Sequence, residues 1–353
     1  MSSPGDLSRP PASSPNRFEG LPCSTAALEV PLPGTATRVT GWLCVEQPGA
    51  WGRDVIGDEV LGPEITAELA ARTKAARVRP TLIRRPGRHE FTGVRTVLLA
   101  SSRPEGSWCE RFEITDLKQL FDLDLGLVNG PPPGIGAAVD DPLVLVCAHG
   151  KRDQCCARLG RPIAAGLAAS YPGRVWECSH TGGHRFAPAV VLLPTGLTYG
   201  RLDGDSAAAM LAAADRGEIS LPGLRGRSCY SPVEQAAEVA VLQRLADDAS
   251  ASAADVDAAL LPGDDAPRLD LGARSAELAA SVAAQLRVSP APEGVEFSGD
   301  PATFAGAATV THQDGRAWLV TTRTVSYAPR QASCGAGPKP VTGPVVDEVR
   351  RIA

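Results

Sequence analysis

No apolar run in the chain approaches the roughly 18 residues that a bilayer-spanning helix requires, so an integral membrane protein is not expected. The first twenty residues, MSSPGDLSRPPASSPNRFEG, lack an apolar centre and a small-residue cleavage site, and read as a disordered tail without a secretory signal. A basic excess is missing as well. Lys plus Arg number 35 against 40 Asp plus Glu, a formal charge of -5, so neither nucleic acid nor an anionic membrane is an expected partner. No Gly-x-Gly-x-x-Gly follows a strand, Gly134-Ile135-Gly136 lying among prolines instead, and no P-loop occurs, which leaves no nucleotide or flavin site. The Cys-x-x-Cys of thiol oxidoreductases and the His-Glu-x-x-His of zinc proteases are both absent, and no positioned pair of carboxylates supports glycoside hydrolysis.

What is present is cysteine, nine residues of it in a chain of 353. An odd number without an export signal argues against a disulfide framework and for reduced thiols in a cytoplasmic protein, some of them ligands. Four cysteines and three histidines fall within the 38 residues from Cys147 to His184, in CAHGKRDQCC and CSHTGGH. Thiolates and imidazoles converging on one point make a site for zinc or an iron-sulfur cluster.

The length suggests about two or three units. From Val39 the signals run strand, helix, strand, strand, strand, helix, the last helix read over LKQLFDL. GPPPGIGAAVDD, residues 130–141, reads as a linker because three prolines stand between glycines. The same order then recurs, from the strand LVLVC to a helix with Asp205 as its expected N-cap. This predicts an α/β (α+β) protein with two βαβ-ββα modules, residues 21–129 and 142–224, and a smaller C-terminal α+β region at 225–353 after the tail at 1–20. In that last region Ser231-Pro232 opens a helix, and Asp314-Gly315 turns a hairpin.

Cys147 closes a strand, and Cys155 and Cys156 open the following helix, where a helix N-terminus favours the thiolate. Gly182 and Gly183 between His180 and His184 point to a loop that wraps closely around a bound atom. Four metal-type donors, Cys147, Cys156, His180 and His184, thus fall at element ends of one module. Cys23, Cys44, Cys109, Cys178, Cys229 and Cys334 read as small apolar fillers, Cys334 in a flexible tail, and His149 as a spare surface residue or a donor to a cluster sulfur. Arg152, Arg158 and Arg185 are expected near the site to offset charge or dock a partner, and Asp153 to pair with Arg152.

CAHGKRDQCC, WECSHTGGHRFAP and LPTGLTYGRL, over about Leu143 to Leu202, resemble the sucrase/ferredoxin-like family; CSTAALEVPLPGTA and EQPGAWGRD carry a looser likeness. The resemblance implies thioredoxin-like modules, the second binding a [2Fe-2S] cluster through Cys-x8-Cys and His-x3-His, that is Cys147, Cys156, His180 and His184, with Cys155 or Cys178 as alternative ligands. With such a cluster and no nucleotide site, the chain is expected to be an electron carrier rather than a stand-alone enzyme, with no catalytic residue singled out and with redox proteins as donor and acceptor; whether it turns over a substrate is left open. Two imidazoles in place of thiolates would raise the reduction potential and allow proton uptake on reduction. Two other readings stay open: a zinc-binding scaffold using the same four donors, although Cys-x8-Cys exceeds zinc-finger spacing, and a thiol redox protein using Cys155 and Cys156.

Overall fold

The computed structural model describes residues 17–259, 281–283, 286–295 and 297–353. Helix α1 (Cys23–Ala26) precedes β1 (Gly41–Glu46), α2 (Pro63–Ala76), β2 (Val78–Arg84), β3 (Arg95–Ser101), β4 (Trp108–Ile114) and the two-residue β5 (Ala137–Ala138). Then follow β6 (Leu143–Cys147), α3 (Gln154–Ser170), β7 (Val175–Cys178), β8 (Ala189–Leu193), β9 (Leu197–Gly200), α4 (Gly204–Asp215), β10 (Glu218–Ser220) and β11 (Leu224–Arg227). The long helix α5 (Pro232–Ala259) leads to β12 (Ser281–Ala283), β13 (Leu286–Pro290), β14 (Phe304–His312), β15 (Ala317–Gln331) and β16 (Pro338–Arg351).

Ten strands form one mixed sheet in the order β11-β9-β8-β6-β7-β2-β1-β3-β4-β5. The order β2-β1-β3-β4 repeats as β7-β6-β8-β9. In each run the first pair is parallel and the later pairs are antiparallel. The runs meet at β2 and β7, where Ile83 faces Cys178 and Arg84 faces Glu177. Alternation along each strand divides the side chains between two faces. Leu143, Leu145 and Cys147 join Trp42, Cys44, Ile83 and Leu98 in one buried cluster, so the curled sheet brings both halves to a common inner face. Leu43, Val45, Val97 and Leu99 pack outward with Leu69 of α2.

Three local expectations change. LKQLFDL forms a 3-10 helix at Leu117–Asp122, because Asp116 and then Asp124 each accept a backbone amide two residues on and restart the turn. Asp203, not Asp205, caps α4, through a capping box with Ser206. Within 130–141, β5 pairs with β4, and the amides of Gly134, Ile135 and Gly136 donate to the Glu110 carboxylate at 2.7, 2.8 and 3.1 Å. Residues 1–16 of the expected tail lie outside the described residues, whereas Phe18 is buried under the Arg330 guanidinium.

The C-terminal strands β13 to β16 form an antiparallel sheet against α5, and the hairpin turns at Gly315 as expected. Their core is continuous with that of the second half: Val310, Trp318 and Val320 share one cluster with Val144, Tyr199 and Leu242. No helix among the described residues is long and apolar enough to cross a membrane.

Candidate metal centre

Cys147 ends β6 beside its parallel-strand partner Cys178, and the backbone then turns into α3. Gly160 lets α3 approach this point, since a side-chain carbon there would overlap the Cys147 carbonyl oxygen. The Cys156 thiol hydrogen-bonds the Cys147 sulfur, and the His180 ring and the His149 amide reach it too. These contacts, Cys156 first, hold the Cys147 thiol well below its ordinary range despite burial. The same contact with Cys147, together with burial, pushes the Cys156 thiol up.

His180 and His184 complete this group, their ring centroids 4.8 Å apart and 36° tilted. The Nδ1 atoms of both rings are buried without a hydrogen-bond partner. Burial, then the neighbouring His180, lowers the His184 pKa, while a hydrogen bond from its ring to the Ala332 carbonyl and the Asp153 charge oppose the shift. The loop that carries both rings is held by two cations, buried Arg225 and half-buried Arg79. Arg225 bonds Thr35 Oγ1 at 3.0 Å, the Thr35 carbonyl, and the Gly182 carbonyl at 3.3 Å, and Arg79 donates to the His180 carbonyl at 2.6 Å. Gly182 and Gly183 adopt φ of 99° and 75°, and side chains there would overlap Thr37 and Arg225. Burial, then the nearby Arg185, pushes the Arg225 pKa down to about 9, while Cys156 and Cys147 oppose that shift.

Several sequence expectations are corrected. His149 is no surface residue: it is buried, its Nε2 is 2.9 Å from the Gly52 carbonyl, and its Nδ1 accepts the His180 amide at 3.2 Å. Asp153 does not pair with exposed Arg152. It is buried as the N-cap of α3, accepting the amides of Cys155 and Cys334, both at 2.8 Å. Cys155 turns away from Cys147, and its sulfur lies 3.3 Å from Cys334 and 3.6 Å from Cys23. Cys23 and Cys334, read as fillers, thus join Asp153 and Cys155 in a second set, largely buried, that can hold a metal ion. Cys178 is fully buried, and burial raises its thiol pKa well above the ordinary value. Arg152 lines an open cavity of 330 Å³ with Arg53, His149 and His180, exposed Arg158 lines another with Cys155 and Cys334, and half-buried Arg185 lies over Phe186.

Sequence reading missed Arg79, Arg225, Thr35 and Thr37. The stretch PLPGTA that contains Thr35 was one visible signal; nothing marked Thr37 or the arginines, which sit in ordinary strands.

Comparison with curated proteins and with solved structures finds no match to this chain. The sucrase/ferredoxin-like family matches it over residues 32–226, more than half its length and a span that contains Cys147, Cys156, His180 and His184 together with the arginines that hold their loop, and the chain belongs to that family.

Proposed function

We propose that the chain is an electron carrier whose second thioredoxin-like module holds a [2Fe-2S] cluster on Cys147, Cys156, His180 and His184. The observation that carries this reading is the pair of partnerless, buried Nδ1 atoms in the loop whose His180 ring reaches the Cys147 thiol. Orphaned polar atoms are costly in a native interior, and two imidazoles with two thiols match a cluster's donor chemistry. The repeated strand order supports a duplicated thioredoxin-like βαβ-ββα unit, of which only the second carries the donors.

When bound, the cluster supplies one-electron transfer. The protein's own residues do the rest. His149 orients the His180 backbone, Arg225 and Arg79 clamp the histidine loop, and these cations offset anionic charge from thiolates. Arg53 and Arg152, at the open cavity beside His180, give a partner redox protein in the cytoplasm a cationic surface to dock on. Cys155 and Cys156 face different partners, which counts against a vicinal dithiol mechanism.

Protein purified without oxygen is expected to be red-brown, with about two irons and two sulfides per chain. His180→Cys or His184→Cys is expected to keep the cluster and lower its midpoint potential, and the wild-type potential to fall as pH rises. A colourless, iron-free protein after cluster reconstitution overturns the reading; zinc held by these four residues instead would make the site structural.

A further inference from the structure

Cys23, Asp153, Cys155 and Cys334 come from three separate stretches of chain, yet their ligand atoms all lie within 4.8 Å of one another. Cys23 opens α1, Asp153 and Cys155 stand at the start of α3, and Cys334 lies between β15 and β16. The three sulfur pairs are 3.3, 3.6 and 3.7 Å apart, and the Cys23 sulfur is 3.4 and 3.5 Å from the two Asp153 oxygens. A tetrahedral zinc with bonds of about 2.3 Å to sulfur and about 2.1 Å to oxygen needs edges of about 3.8 Å between sulfurs and about 3.6 Å between sulfur and oxygen. The three sulfur–sulfur edges and the Cys23–Asp153 edge lie within about 0.5 Å of those values. None approaches the length of about 2.05 Å of a disulfide.

We infer that Cys23, Asp153, Cys155 and Cys334 bind one Zn²⁺, separate from the Cys147 and Cys156 group, and that this ion staples α1 and the β15–β16 loop to the start of α3. Three thiolates and one carboxylate select zinc over the hard cations magnesium and calcium. Zn²⁺ displaces the three thiol protons to solvent and binds the thiolates. Four anionic ligands and one divalent ion leave two negative charges. Arg185 lies within electrostatic reach of Cys23, and buried Arg330 donates to the Ala26 carbonyl of α1 at 3.0 Å. Polar groups already orient the ligands: Ser24 Oγ donates to the Cys155 sulfur at 3.3 Å, and the Cys23 amide to the Cys334 sulfur. An open cavity of 1240 Å³ lined by Cys155 and Cys334 gives the ion access.

The zinc assignment does not rest on the cluster. Zinc and iron are measured together, by metal analysis and native mass spectrometry, on the full chain, on Cys334→Ser and on Cys147→Ser. Wild type should carry one zinc, Cys334→Ser less than a tenth of that with its iron unchanged, and Cys147→Ser one zinc with its iron lost. Asp153→Asn, which keeps a helix-capping side chain, should bind zinc at least tenfold more weakly in competition with a chelator. The inference is overturned if wild type supplied with zinc holds none, if Cys334→Ser keeps its zinc, or if that variant loses iron as well, which would make the two groups one centre. Iron-free wild type that still holds zinc at these residues would sink the electron-carrier reading and leave this one standing.

Discussion

At the scale of single residues, Gly183 shows how a missing side chain shapes the centre. Its φ of 75° costs any L-residue about 1–2 kcal/mol, and an added methyl group would displace the Arg225 guanidinium that holds Thr35 and Gly182. Gly183→Ala is therefore expected to lose about 2–4 kcal/mol in denaturant unfolding and to release bound iron. Gly173, at φ 82° with open space around it, is the control: Gly173→Ala should lose only about 1–2 kcal/mol and keep its iron. Equal losses at both sites would show that Arg225 is not the reason. The neighbouring cysteines separate in the same way. Cys156→Ser should abolish the cluster spectrum, whereas Cys155→Ser should keep it and lose zinc. Cys147, Cys156, His180 and His184 stand out in the sequence because they fall within 38 residues, at or beside element ends. Cys23 and Cys334 were not, since 311 residues separate them and no local pattern marks a contact made only by tertiary folding. His149 looked like a spare residue because its polar neighbours conceal that its ring is enclosed under Gly52.

At the scale of elements, α5 is fastened to β11 by a buried ion pair, Arg227 to Glu238 at 2.6 Å, with the Glu238 side chain fully buried. Burial works against the Arg227 charge, but Glu238 outweighs it and holds the arginine above its ordinary value. Glu238→Ala leaves that cation buried and unpaired, and a loss of about 3–5 kcal/mol is expected in denaturant unfolding. The double replacement Arg227→Met with Glu238→Leu should recover most of the loss, because apolar partners of similar volume avoid both desolvation costs. If the double variant is no more stable than Glu238→Ala, the pair contributes more than charge compensation. Helix α5 itself was readable from Ser231, Pro232 and the three-and-four spacing of its apolar residues, and Ser231 forms a reciprocal cap with Glu234. The helix expected at LKQLFDL was not, because two aspartates eight residues apart compete for its amides and break it into 3-10 turns, a side-chain effect that apolar periodicity does not register.

At the scale of the whole molecule, the composition of residues 225–353 reads as an appended unit, yet the core runs straight through that boundary. Val144 and Val146 of β6 face not only Ile163 and Leu167 of α3 but also the cluster that continues through Val241 and Leu242 of α5 to Val310, Trp318 and Val320. Alternation along a strand states which side chains share a face; it cannot state which distant element covers that face, so this part of the fold was hidden in the sequence. The consequence concerns the family-matched span, residues 32–226, which ends before α5. A truncated chain ending at Ser231 keeps every residue of the Cys147 group but loses the cover over Tyr199, Leu224 and the β6 valines, and it also loses Cys334. Exposed apolar area costs about 25 cal/mol per Å², so uncovering several side chains of this size exceeds the few kcal/mol by which a domain is stable. The truncated chain is expected to be expanded, to bind a hydrophobic dye and to be cleaved by protease at least tenfold faster than the full chain. A truncated chain that unfolds cooperatively and resists protease like the full chain would show that residues 232–353 only decorate a self-sufficient domain.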